Sequence, residues 1–138
     1  MSNRMLGVLA AALLLLAPRA WAQGGGSAQE PVADGRRLSE WVADLKAQAP
    51  QVRNAAAYEI SGLGPAAAPA VPALIEALSD PEPTVRFPVT VALGEIGAGA
   101  KAAVPKLKEM MEEENNDEIA AAARRALRRI DPQAVSSE

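Results

Sequence analysis

From Leu38 onward, apolar residues recur every three or four positions, the rhythm of amphipathic helices rather than of strands. The rhythm also repeats on a longer scale. Val52-Arg53 is followed by Ile60, Leu63, Gly64, Ala70-Val71-Pro72, Leu74, Glu76 and Leu78. Thirty-three residues later come Val85-Arg86, Leu93, Ile96, Gly97, Ala103-Val104-Pro105, Leu107, Glu109 and Met111. Nine positions are identical between 52–84 and 85–117, concentrated at apolar and chain-breaking sites. An internal period of this length marks a solenoid, whose units bury their apolar faces against one another. Backwards by 33, Leu38, Trp41 and Leu45 fall on Val71, Leu74 and Leu78. Forwards by 34, Ile119, Leu127 and Ile130 fall on Val85, Leu93 and Ile96, with one residue inserted in 112–118. The pattern predicts an all-α superhelix of about six short helices: two full repeats with a half repeat at each end.

The breakers fit helical hairpins. Gly62 and Gly64 tolerate positive φ at the end of a first helix, predicted over about 52–61. Pro69 and Pro72 open the second helix, where a missing N–H costs little. Asp80-Pro81-Glu82-Pro83-Thr84 closes it and starts the next hairpin. Trp41, with Leu38, Val42 and Leu45, reads as a core residue covering the edge of the first repeat.

The flanks are of another kind. Arg4, the apolar stretch Leu6 to Leu16, Pro18 and Ala20-Trp21-Ala22 read as a secretory signal over 1–22, cleaved ahead of Gln23. The apolar run is too short for a membrane-spanning helix, so no transmembrane anchor is expected after cleavage, and a periplasmic or extracellular location follows. Residues 23–36 read as a Gly/Ala-rich flexible linker, 37–132 as the repeat domain and 133–138 as a disordered tail.

Composition narrows the chemistry. There is no cysteine and no histidine, which removes thiolate chemistry, the usual metal ligands and the commonest general base. Without Arg4 and Arg19 the chain holds 12 basic against 17 acidic side chains, a net charge of −5. Nucleic acid is therefore not an expected partner. No catalytic residue, cofactor or metal site is expected.

Val85-Arg86, Ala92-Leu93-Gly94, Ile96-Gly97, Ala103-Val104-Pro105 and Leu107 together resemble a HEAT repeat, specifically the short subtype named after the phycobilin lyases. Val52-Arg53, Gly64, Ala70-Val71-Pro72-Ala73-Leu74-Ile75, Leu78 and Asp80 carry the same resemblance one repeat earlier. It implies an α-solenoid that binds another protein along a face lined by its second helices. A minority of the subtype help attach bilins to light-harvesting proteins, which makes a lyase-like enzyme subunit the alternative. Self-association is a third reading, since two whole repeats make a short solenoid. Pro88 departs from the pattern, standing where Ala55 stands one repeat earlier; its helix must start late or kink.

The candidate partner-binding residues are the expected exposed positions of the second helices: Glu40 and Asp44, then Ala73, Glu76 and Ala77, then Lys106, Glu109, Met110 and Glu113. Phe87, the single phenylalanine, is expected to face outward beside Pro88 and joins them. Arg53 and Arg86 read as scaffold rungs, with Asp80 and Glu113 as available partners. Arg124, Arg125, Arg128 and Arg129 read as the solvated outer face of a terminal helix that opens with acids.

Overall fold

A computed structural model describes residues 29–136, so the leader and most of the linker lie outside the described residues. Among the described residues six α-helices follow one another: α1 Leu38–Asp44, α2 Pro50–Gly62, α3 Val71–Ala77, α4 Pro83–Ile96, α5 Val104–Glu113 and α6 Asp117–Ile130. Seven-residue 3-10 segments, Gly64–Ala70 and Gly97–Ala103, lead into α3 and α5. The architecture is the all-α helical repeat expected from the period. First helices α2, α4 and α6 pack in series, and second helices α1, α3 and α5 form the other row.

Local chemistry sets these bounds. Pro50 and Pro83 start α2 and α4 at the first helical position, and Pro72 and Pro105 sit in the first turns of α3 and α5. Gly64 and Gly97 hold φ of 56° and 74°, turning each hairpin where a side chain would be strained. Asn116 caps α6, its side chain accepting from the backbone N–H of Glu118 and Ile119 at 3.0 and 3.2 Å.

One contiguous core runs the length of the domain, from Leu38 and Trp41 through Leu74, Val85, Leu93 and Leu107 to Leu127 and Ile130. Alanines fill the seams between first helices, and Gly94 allows the closest approach. A Cβ added there would lie 3.1 Å from Ala126 Cα. Pro83–Glu113 is long and apolar enough, by composition, to cross a membrane, but half of its most apolar window is buried as solenoid core.

The arginine rungs are built twice. Arg53 forks onto Asp80 at 2.7 and 3.0 Å and donates to the carbonyls of Ala47 and Gln48. Arg86 forks onto Glu114 at 3.0 and 3.1 Å and donates to the carbonyls of Asp80 and Pro81. The second partner is thus Glu114, not the expected Glu113. The inserted residue shifts the acid by one position, because α5 continues to Glu113 while α3 stops at Ala77. Burial pushes the Asp80 carboxyl up, but Arg53 and the Glu82 N–H outweigh it and hold the group below its ordinary value. Arg86 holds Glu114 low in the same way, against the opposing effect of burial.

Pro88 does not delay its helix, which begins at Pro83. Proline there deprives the Thr84 carbonyl of its helical donor, and the side-chain amide of Asn54, on the neighbouring first helix, donates to it instead. Two residues on, the buried Thr90 hydroxyl donates to the Arg86 carbonyl at 2.8 Å. Phe87 is half-buried and packed against the core rather than turned outward.

Both expected flanks need correction. The linker does not run to residue 36, because Val32–Ala33 and Arg36–Arg37 pair as an antiparallel hairpin. Its turn, Asp34-Gly35, has φ of 46° and 73°, positive at both central residues as a tight hairpin turn requires. The tail is ordered through Pro132–Val135, a 3-10 turn that lays Val135 against the core.

Candidate functional site

The second-helix row carries two grooves. One, of about 160 Å³, is lined by Leu45, Lys46, Ala73, Glu76, Ala77, Ser79 and Asp80. The other, of about 180 Å³, is lined by Leu78, Ser79, Lys106, Glu109, Met110, Glu113, Glu114 and Asn115. They are the same groove one repeat apart. Leu45 corresponds to Leu78, Lys46 to Ser79, Ala73 to Lys106, Glu76 to Glu109, Ala77 to Met110 and Asp80 to Glu113. The recurrence has a structural cause: α3 meets the 3-10 segment ahead of α5 instead of lying along α5, so a gap remains between successive second helices.

Seven of the expected residues line these grooves: Ala73, Glu76, Ala77, Lys106, Glu109, Met110 and Glu113. Ala77 and Met110 are buried and belong to the floor, not to an exposed stripe. Glu76 and Glu109 stand on the rims, where Lys46 meets Glu76 at 3.3 Å and Lys106 meets Glu109 at 2.7 Å. The first of these pairs is about two-thirds exposed on both sides, so solvent screens it and an incoming group can exchange it at little cost.

Three expected residues are not in the grooves. Phe87 lies on a first helix. Glu40 accepts from the Arg37 N–H at 2.9 Å, and Asp44 accepts from Arg36 at 2.8 Å. Arg36 in turn lies 4.0 Å above the Trp41 ring, and Trp41 Nε1 donates to the Ala33 carbonyl at 2.9 Å. Glu40 and Asp44 thus fasten the hairpin over the first repeat and complete the cover that Trp41 begins. The Asp34-Gly35 dipeptide between short paired segments was the available signal for this cap.

A further concavity, of about 290 Å³, lies on the first-helix row between α4 and α6, lined by Val91, Gly94, Glu95, Ala122, Arg125, Ala126, Arg128 and Arg129. Arg129 forks onto Glu95 at 2.7 and 3.2 Å along its wall. Among the described residues, no group of three or more histidines, cysteines, aspartates or glutamates is placed to hold a metal ion.

The model for HEAT repeats matches residues 38–128, which span all the stacked helices from α1 into α6. The chain belongs to the HEAT-repeat family. HEAT repeats are generally protein-interaction and scaffold modules, and the paired grooves lie on the second-helix row of such a module. No curated protein sequence matches this HEAT-repeat chain.

Proposed function

We propose that this HEAT-repeat protein is an exported, non-catalytic scaffold that binds a protein partner across the two grooves of its second-helix row. The observation that carries the reading is the recurrence of one groove at the repeat period, with an apolar floor and charged rims in both copies. A groove repeated in register suits an extended chain, which crosses both and places one side chain in each. Ala77 and Met110 offer apolar contact, Met110 with an adaptable thioether. Glu76, Glu109 and Glu113 favour basic groups beside those side chains.

Export is inferred from residues 1–22, and assignment to the short phycobilin-lyase-like subtype from the 33-residue repeat and its Ala-Val-Pro signature. The absence of histidine and cysteine from the sequence supports binding over catalysis. The test is crosslinking capture from the native envelope and extracellular fractions, with the full chain and with a Glu76→Lys, Lys106→Glu, Glu109→Lys variant. The same partner captured by the native chain and lost with the variant supports the reading. A partner retained by a folded variant sinks it, as does capture of none.

A further inference from the structure

The outer side of α6 poses a separate problem. Each first helix turns one side to its successor, and Gly94 occupies the point of closest approach on α4. One repeat later that position is Arg128, and among the described residues no further first helix packs on α6. Its open side carries Asp117 and Glu118 at one end and Arg124, Arg125 and Arg128 toward the other, all exposed, with Arg125 and Arg128 also bordering the concavity toward α4. Among the described residues, none of the five has an ion-pair partner.

These charges cannot neutralise one another within the helix. Side chains meet along a helix at three or four residues' separation, and from Asp117 and Glu118 those positions are Ala120, Ala121 and Ala122. Arg124 and Arg125 stand seven residues on, roughly 10 Å along the axis. The helix dipole explains acids in the first turn and arginines in the last, but not Arg124 and Arg125 in the middle.

The charges are, however, antisymmetric about Ala121. Asp117 and Arg125 are each four residues from it, and Glu118 and Arg124 each three. Two α6 helices laid antiparallel across a two-fold axis at Ala121 therefore bring every acid opposite an arginine. Residues seven apart share one flank of the helix, so Asp117 meets Arg124 and Glu118 meets Arg125 across the axis, each twice over. Arg128 lies toward the partner's acidic turn before α6, where Glu113 is exposed and Glu114 already holds Arg86. Ala120 and Ala121, half-buried and small, let the helices approach at the centre. We infer that the occupant of this face is a second copy of the same chain, in an isologous antiparallel pair of α6 helices. A continuing head-to-tail stack would need small or apolar residues where Arg128 stands.

A pair built on one helix from each copy buries less than the ~1,200–2,000 Å² of a standard interface and is mainly ionic. It is therefore weak, concentration-dependent and sensitive to salt. The test is sedimentation equilibrium of the full chain from micromolar to sub-millimolar concentration, at low and high salt. Two variants accompany it, one acidic (Arg124→Glu, Arg125→Glu, Arg128→Glu) and one basic (Asp117→Arg, Glu118→Arg), with far-UV circular dichroism to verify folding. The native chain should dimerise at low salt and dissociate at high salt. Each variant alone should be monomeric, and an equimolar mixture should form a mixed dimer at least as tight as the native one. A native chain monomeric throughout, a dimer that survives in the acidic variant, or a mixture that stays monomeric would overturn the inference. Neither variant alters the second-helix grooves, so the outcome is independent of the partner-binding reading.

Discussion

The two rows of helices obey one repeat and are built differently. The first helices have 13, 14 and 14 residues and pack directly side by side through alanine and glycine. The second helices have 7, 7 and 10 residues, and the later two begin only after a 3-10 segment. Close approach at Gly94 and Ala126 leaves that seam little room to relax, although a concavity of about 290 Å³ opens over it between α4 and α6. Incomplete contact in the second row leaves gaps between stacked units, and those gaps recur as grooves. The proposed function thereby places recognition on one row and stability on the other, although the sequence period treats both alike.

The strongest way to break this division is to empty the core beneath each row. Leu93→Ala in α4 and Leu74→Ala in α3 remove fully buried side chains of one cluster, and each should cost about 2–5 kcal/mol in denaturant unfolding. If Leu74→Ala were nearly silent, the second row would be an appendage to the first. Gly94→Val tests the close seam itself. It should cost about 1–3 kcal/mol because Ala126 backbone lies in the way, whereas Gly62→Ala, with open space around it, should leave the Tm unchanged or raise it.

The rungs come next, since they tie the two rows. Arg53→Ala or Arg86→Ala leaves a mostly buried carboxylate without its fork and should cost about 1–3 kcal/mol at neutral pH. Both carboxylates sit below their unfolded values. Their contribution is full above the ordinary carboxylate range and is lost as pH falls through the depressed folded values. Native Tm should drop as pH falls below the ordinary carboxylate range, and the double arginine variant should show a flatter profile there.

Smaller still is the Asn54 contact, worth about 0.5–1.5 kcal/mol as a single hydrogen bond. Its cost on Asn54→Ala should shrink in a Pro88→Ala background, where the restored N–H reaches the Thr84 carbonyl. A double-mutant cycle with no coupling would refute that account of Pro88. Last, Glu76→Ala on the groove rim should shift the Tm by no more than about 0.5 kcal/mol equivalent, as an exposed ion pair predicts. A large shift would move that rim from recognition to stability.

Much of this was legible in order. Leu74, Leu93, Leu107 and Leu127 announced a solenoid because burial in stacked units forces the same residue type at the same phase. Arg53 and Asp80 could be paired from spacing alone, while Arg86 required the register of α5, which a one-residue insertion shifts. Ala77 and Met110 were read as exposed but lie buried, because helical phase gives a direction and not the depth of the neighbouring unit. Phe87 was misplaced for the same reason.

By itself, then, the sequence determined the class of fold, the period, the hairpin breakers and seven of the residues that line the grooves. These follow from local backbone preference and from apolar spacing within about one turn of helix. Only the tertiary structure decided that Asn54 serves a carbonyl 30 residues away, that Arg36 and Trp41 clasp a hairpin, and that gaps open between second helices. Each depends on how far apart two packed elements come to rest, a distance set by every side chain between them.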